Sequence, residues 1–140
     1  MPDVTPVSHV TATPPAPAAE ALPHFEHLLA FEADCWDVGA DLDAGADTFV
    51  LLDVRSPELF DAGHVPGAVN LPHGRIIERN LADWPTDTLF VVYCAGPHCN
   101  GADKAAVRLA KLGRPVKKMI GGVTGWIDEG FNLATGPSQK

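Results

Sequence analysis

Short apolar runs alternate along this chain with segments whose apolar residues recur at helical spacing. Residues 89–93 are a continuous apolar run, and residues 49–54 are an apolar run with an aspartate near its end. Such runs are typical of strands buried on both faces of a parallel sheet. Residues 68–71 and 116–120 are two further strand candidates, and the two lysines of the second indicate an edge strand or a half-exposed face. Strands that alternate with helices predict an α/β fold with a central, mainly parallel sheet flanked by helices.

The helix after the second long run has the clearest pattern in the chain. Its apolar stripe consists of Ala102, Ala105, Ala106, Leu109 and Leu112, and Gly113 is placed to end it. Asp34 is a good N-cap for a helix through Leu42, and Ser56 followed by a proline predicts the start of another. Residues 73–84 are only weakly helical, and residues 123–129 predict a last short helix.

The first residues differ in composition from the rest. Residues 1–18 are rich in Pro, Ala and Thr, so we expect a disordered tail. Residues 19–140 are then a single domain, which begins with a short helix before Phe31. With 140 residues, 46% of them hydrophobic, the chain is long enough to bury a sizeable core.

Charge and cysteine count narrow the range of partners and compartments. A formal net charge of −8 argues against nucleic acid and anionic membrane surfaces as partners. No apolar run approaches the roughly 20 residues needed to span a bilayer, and the N-terminus lacks the pattern of a secretory signal. Three cysteines do not make a disulfide framework, so we expect a reducing, cytoplasmic location.

One cysteine stands where a sheet presents reactive groups. Cys94 directly follows the run 89–93, and a helix begins near the end of the next seven residues: Ala95, Gly96, Pro97, His98, Cys99, Asn100 and Gly101. A strand–loop–helix unit directs loop N–H groups and a helix N-terminus at the sulfur, which favours the thiolate. We therefore predict that Cys94 is a nucleophile; the alternative is a small buried core residue.

Three motifs around this cysteine resemble those of single-domain rhodaneses. They are residues 51–60 (LLDVRSPELF), 63–72 (GHVPGAVNLP) and 120–126 (IGGVTGW), with Cys94 between the second and the third. The resemblance covers roughly residues 28–132 and implies a rhodanese-like α/β domain.

The resemblance also implies an activity. Cys94 is expected to take sulfane sulfur from a small-molecule donor, or from a protein persulfide, and to form its own persulfide. A thiol or cyanide acceptor then removes the terminal sulfur, so the enzyme is a sulfurtransferase that works by double displacement. Loop N–H groups can stabilise the persulfide anion, and no cofactor or metal is required.

The sequence departs from the family pattern within the loop. Many rhodaneses carry a cation directly after the reactive cysteine or five residues after it, where this chain has Ala95 and Cys99. An anionic donor such as thiosulfate would lose a contact worth ~1.5–3 kcal/mol, unless Arg75 or Lys104 reaches the site from outside. A phosphatase or arsenate reductase would need an arginine at position 100, where the N-cap candidate Asn100 stands.

The remaining polar loop residues leave alternatives open. Cys99 is either a resolving thiol for Cys94 or a bystander, and a metal site with His98 would lack a second ligand pair. His98 either tunes the thiolate, contacts the substrate or is simply exposed. A function of a different class is a non-catalytic module that binds a partner or senses redox state through Cys94 and Cys99.

Residues outside the loop are expected to be mainly structural. Asp53 and Arg55 are predicted to pair at the end of a strand and to support the cysteine loop from beneath. Cys35 is expected to be a buried structural cysteine and Trp126 a core anchor, while His64 is expected in a turn at the surface.

Overall fold

The computed structural model describes residues 6–137, and the chain divides into two compact units. The first unit ends at Ala30; its residues 6–17 are exposed and contain turns but no helix or strand. Helix α1 (Ala18–Phe31) follows, as the pattern before Phe31 predicted. Residues 1–5 lie outside the described residues, so the disordered tail and the boundary at residue 18 stay predictions.

The second unit, from Phe31 onward, is built on a parallel sheet. Within the described residues its five strands are β1 (Glu32–Ala33), β2 (Val50–Asp53), β3 (Val69–Asn70), β4 (Phe90–Tyr93) and β5 (Val116–Met119). Their order across the sheet is β1-β5-β4-β2-β3, and every pairing is parallel. The predicted α/β fold with a central parallel sheet is therefore confirmed.

Strand β1 was not predicted from the sequence, and it changes the place of β5. Its two residues pair with Lys118 and Met119, so β5 lies between β1 and β4 rather than at an edge. The lysines are tolerated because this strand is half-buried along most of its length. The expectation of a half-exposed face was therefore right, and that of an edge strand was wrong.

Four further helices connect the strands: α2 (Cys35–Asp43), α3 (Pro57–Ala62), α4 (Gly101–Lys111) and α5 (Gly122–Asp128). The predicted caps are present. Asp34 Oδ1 accepts a hydrogen bond of 2.7 Å from the N–H of Asp37 at the start of α2. Ser56 Oγ accepts one from the N–H of Leu59 at the start of α3. The weakly helical stretch consists of 3₁₀ turns at His73–Arg75 and Glu78–Leu81. None of the helices that the structure describes is long and apolar enough to cross a membrane.

Alternation along the central strands divides the core into two layers. On one face of β4, Val91 and Tyr93 pack with Trp126, which is the core anchor that the sequence predicted. On the other face, Val92 and Cys94 pack with α4. Full burial of each large apolar side chain contributes about 1.5–3 kcal/mol. The site cysteine therefore begins its loop from a fixed strand and faces the N-terminus of the next helix.

Candidate active site

The carboxyl ends of three neighbouring strands meet at the Cys94 loop. Cys94 follows β4, whose last residue Tyr93 is in register with Asp53 at the end of β2. The loop after β5 closes the other side, since the N–H of Val123 donates to the Cys94 carbonyl at 3.1 Å. Ligands bind outside this end of the strands in open α/β sheets, and Cys94 retains 7% exposure there.

The loop curls so that its two cysteines meet. The N–H of Cys99 donates to the Gly96 carbonyl at 3.0 Å, and the Cα atoms of Cys94 and Cys99 are 6.3 Å apart. Their sulfur atoms are joined as a disulfide. The residues that the sequence placed in one loop are therefore brought together around these sulfurs.

Gly101 lets the helix begin directly against the sulfurs. A Cβ atom at this position would lie 2.9 Å from Cys94 Sγ and 3.5 Å from Cys99 Sγ, so a side chain there would collide with the reactive group. The first N–H groups of this 11-residue helix lack partners within the helix, and their partial positive charge favours an anion. Asn100 occupies the predicted N-cap position, but its side chain makes no capping hydrogen bond.

The glycine pair after β5 forms the opposite wall of the loop. Gly122 has φ +58°, and a Cβ atom there would overlap the Cys94 carbonyl oxygen and lie 2.9 Å from the Gly96 nitrogen. Thr124 then fixes the loop twice, because both its N–H and its Oγ1 donate to the Ala95 carbonyl at 3.1 Å. Only glycine allows this close approach of two backbone segments.

A cavity of about 220 Å³ opens beside the two loop cysteines. Asp103 and Lys118 line it, and Lys118 Nζ lies 3.0 Å from Asp103 Oδ1 and 3.8 Å from Glu32 Oε2. Lys118 is therefore the cation at this cavity, whereas the sequence had suggested Arg75 or Lys104. Arg75 lines a different cavity of about 360 Å³, beside Asn70 and Trp84.

Cys35 lies beneath the same glycine turn but in the opposite electrostatic setting. Its thiol donates to the carbonyl of Ile120 at 3.4 Å and is 4% exposed. Burial, together with the charges of Asp34 and Glu129, raises the pKa of Cys35 to about 11. The predicted structural role of this cysteine agrees with its burial.

Asp53 and Arg55 form a buried pair under the site. Arg55 Nη2 donates to Asp53 Oδ2 at 2.7 Å and to the Gly63 carbonyl at 2.6 Å, and the Asp53 side chain has no exposure. Burial lowers the pKa of Arg55, but the hydrogen bond and charge of Asp53 outweigh it and raise that pKa. The pKa of Tyr93 is raised, first by burial and then by the Asp53 carboxylate. The hydroxyl of Tyr93, the residue before Cys94, therefore stays neutral and remains a hydrogen-bond donor.

His98 and His64 lie in different environments, one exposed and the other buried. His98 is exposed on the loop, where its ring lies against Gly96. The expectation that His64 is at the surface was wrong: it is 6% exposed, stacks on Phe60 at 3.7 Å and bonds the Phe60 carbonyl through Nδ1. Within residues 6–137, no group of three or more His, Cys, Asp or Glu side chains is arranged to hold a metal ion.

Comparison with known proteins decides the family. Residues 37–129 match the family described as a Rhodanese-like domain. The chain belongs to the rhodanese-like family. Among curated relatives of this rhodanese-like chain, the HTH-type transcriptional regulator Rv0324 of Mycobacterium tuberculosis is 39% identical over 98 residues, which are 65% of this chain and 42% of the regulator. The adenylyltransferase and sulfurtransferase UBA4 of Yarrowia lipolytica is 33% identical over 87 residues, which are 60% of this chain and 22% of that enzyme.

Solved structures extend the likeness to most of the rhodanese-like chain. The BH2092 protein of Bacillus halodurans superposes with a TM-score of 0.81 at 34% identity, covering 84% of this chain and 85% of that one. Thiosulfate sulfurtransferase of Pseudomonas aeruginosa gives a TM-score of 0.67 at 26% identity, covering 85% and 22% respectively. The rhodanese resemblance predicted from three motifs is thus confirmed, while the chain spans less than half of the curated relatives named above.

Proposed function

We propose that this chain is a sulfurtransferase that carries sulfane sulfur as a Cys94 persulfide. The observation that supports it most is the position of Cys94 Sγ, which lies against the start of α4 where Gly101 has no side chain, beside an open cavity. Partial positive charge at a helix N-terminus stabilises both a thiolate and a persulfide anion. Rhodanese-like relatives whose names include sulfurtransferase support the same chemistry for this loop.

The reaction consists of two displacements at sulfur. In the first, the Cys94 thiolate attacks the outer sulfur of a donor such as thiosulfate; the donor S–S bond breaks and sulfite leaves. In the second, a thiol or cyanide attacks the terminal sulfur of the persulfide, and the Cys94 thiolate leaves. Neither step needs a cofactor. The first step needs Cys94 as a free thiolate, which fits a reducing compartment such as the cytoplasm.

Charge around the cavity favours donors with little net charge. Lys118 is the cation nearest the reactive sulfurs among the residues lining this cavity, and Asp103 and Glu32 already pair with it. A doubly negative donor must compete with these carboxylates for the ammonium group. We therefore expect thiosulfate to be a weak donor and a neutral or protein-bound persulfide to be a better one.

A second candidate function is a binding or redox-sensing module. Two observations favour it: the likeness to a transcriptional regulator and the disulfide between Cys94 and Cys99. Such a module would change its contacts with a partner when the disulfide forms, without turning over a sulfur donor. The two functions differ in whether Cys94 ever carries an extra sulfur atom.

The test is intact-mass spectrometry of reduced Cys99→Ser, in which no second loop thiol can remove the sulfur, after incubation with thiosulfate, mercaptopyruvate or a protein persulfide. A sulfurtransferase gains the mass of one sulfur atom, and peptide mapping places that atom on Cys94. Adding Cys94→Ser to this variant should abolish the gain, while adding the matched control Cys35→Ser should leave it unchanged. Absence of the added sulfur with all three donors would favour the redox module instead.

A further inference from the structure

Cys99 lies where it can act on whatever Cys94 carries. Its sulfur is bonded to that of Cys94, and both side chains line the same cavity. Gly101 adds no side chain next to the two sulfurs, where a Cβ atom would lie only 2.9 Å and 3.5 Å from them. A second thiol in contact with the sulfur-carrying atom opens an exit for sulfur that a lone cysteine lacks.

We propose that this domain is also a sulfane-sulfur reductase, in which Cys99 resolves the Cys94 persulfide and releases hydrosulfide. The proposal rests on the persulfide of the proposed function and adds its fate. The product is then sulfide rather than a sulfurated acceptor. The substrate class is any donor able to form the persulfide, together with a dithiol that returns the enzyme to its reduced state.

The step balances in atoms and electrons. The Cys99 thiol passes its proton to the terminal sulfur of the persulfide anion, and the resulting thiolate attacks Cys94 Sγ, which is the inner sulfur. A bond forms between the two Sγ atoms and the bond to the terminal sulfur breaks. Hydrosulfide leaves with that electron pair, so the two cysteines are oxidised and the sulfane sulfur is reduced. An external dithiol then reduces the Cys94–Cys99 disulfide by ordinary thiol–disulfide exchange and is itself oxidised.

The geometry favours attack at the inner sulfur. The contact in the structure is between Cys99 Sγ and Cys94 Sγ, with the Cα atoms 6.3 Å apart and the loop held by the bond from the Cys99 N–H to the Gly96 carbonyl. This separation lies within the usual range for a disulfide. Attack at the terminal sulfur would instead move the sulfur to Cys99 and would leave no disulfide, so the two routes have different products.

Proximity gives this internal thiol an advantage over free acceptors. A group tethered through a five-residue loop acts at an effective concentration of roughly millimolar or more. External acceptors well below that concentration compete poorly with Cys99. Release of sulfide is therefore the expected fate of the persulfide when acceptors are scarce.

The test is a single turnover of the reduced protein with about one equivalent of a protein or small-molecule persulfide. Sulfide is trapped with monobromobimane, and the protein is followed by intact mass. Wild type and the control Cys35→Ser should release close to one sulfide per chain and end with the Cys94–Cys99 disulfide. Cys99→Ser should hold its persulfide roughly tenfold longer or more and release almost no sulfide.

The outcomes distinguish a failure of the reductase from a failure of the proposed sulfurtransferase. A Cys99→Ser persulfide that decays at the wild-type rate, or a wild type that moves sulfur to Cys99 without releasing sulfide, overturns the reductase and leaves the sulfurtransferase intact. A Cys99→Ser protein that never gains sulfur overturns both. Restoration of the thiols by a dithiol after each turnover, with further sulfide release, completes the predicted cycle.

Discussion

At the scale of single residues, the two buried cysteines of this unit show how position decides reactivity. Cys94 Sγ faces the start of a helix, where N–H groups lack partners. Cys35 is enclosed by the carbonyls of Ile120 and Gly122, and acidic charges lie near it. The first setting favours an anion and the second favours a neutral thiol, although both sulfurs are largely buried.

The raised pKa of Cys35 predicts a loss of stability in alkali. Its pKa is about 11 in the folded protein against 9.0 for an ordinary thiol, so the folded state holds a proton that the unfolded state releases. The stability that Cys35 contributes is therefore complete below pH 9 and falls between pH 9 and 11. Urea unfolding at pH 8 and pH 10.5 should show a smaller loss for Cys35→Ser than for wild type, while Tyr93 affects both proteins alike. Equal losses would contradict the assigned environment.

The Asp103–Lys118 pair predicts a way to change donor preference. In Asp103→Asn the ammonium group is freer to meet an anionic donor, so KM for thiosulfate should fall about two- to fivefold, the range expected for an exposed ion pair. KM for a neutral persulfide should not change. Asp87→Asn removes the same charge near the amino ends of β2 and β4 and is the matched control. A similar fall in that control would mean that net charge, rather than Lys118, is responsible.

At the scale of elements, the junction between β4 and α4 determines where the sulfur sits. The segment after β5 holds this junction, since the N–H groups of Val123 and Thr124 donate to the carbonyls of Cys94 and Ala95. Beneath it, the buried Asp53–Arg55 pair ties the end of β2 to the turn at Gly63. The Cys94 loop is thus fixed on one side by the segment after β5 and from within by the hydrogen bond from the Cys99 N–H to the Gly96 carbonyl.

Adding one methyl group at this junction should disable the site. In Gly101→Ala the new Cβ would lie 2.9 Å from Cys94 Sγ, so the sulfur must move, and overpacking of this kind costs about 1–3 kcal/mol. In a Cys99→Ser background, where the persulfide is retained, we expect its rate of formation, followed by intact mass, to fall at least about tenfold, which corresponds to ~1.4 kcal/mol in the barrier. Gly74→Ala, where a Cβ meets nothing within 4 Å, should behave as wild type. Unchanged rates in Gly101→Ala would show that the sulfur tolerates displacement.

Local sequence signals predicted the elements that depend on neighbouring residues. The sequence predicted the two N-caps and the end of α4, at Asp34, Ser56 and Gly113. These could be predicted because capping and turn chemistry act over three or four residues. The two-residue strand β1 was not, since its pairing with β5 joins segments more than 80 residues apart. The cation Lys118 was missed for the same reason, although a lysine in a strand just before a glycine pair was a usable signal.

At the scale of the whole molecule, the rhodanese-like unit is one that larger proteins also contain. The relatives that it matches are named for different functions, a transcriptional regulator and an adenylyltransferase and sulfurtransferase. A shared fold therefore does not decide the function, and the residues of the site must. Here those residues are two cysteines joined through their sulfurs, a glycine at the helix start and a lysine paired with a carboxylate.

Because the N-terminal residues 6–17 are exposed, we predict that removing this segment lowers neither stability nor activity. Residues 6–17 are exposed and contain no helix or strand, so they bury little apolar surface. Deletion of residues 1–16 keeps Pro17, whose carbonyl accepts the N–H groups of Glu20 and Ala21 at the start of α1. The melting temperature and the rate of persulfide formation should stay within error of the full chain. A fall of several degrees on deletion would show that this segment packs on the protein.

The central claim is that sulfur travels on Cys94, and a pulse–chase with labelled sulfur tests it most directly. Cys35→Ser/Cys99→Ser retains only Cys94; it is incubated at high concentration with thiosulfate labelled in its outer sulfur, freed of donor and then mixed with cyanide. We predict that the label is bound to the Cys94 peptide after the pulse and leaves as thiocyanate, one per chain, in the chase. Thiocyanate that forms without labelled Cys94, or at the same rate in protein that also carries Cys94→Ser, would contradict the account.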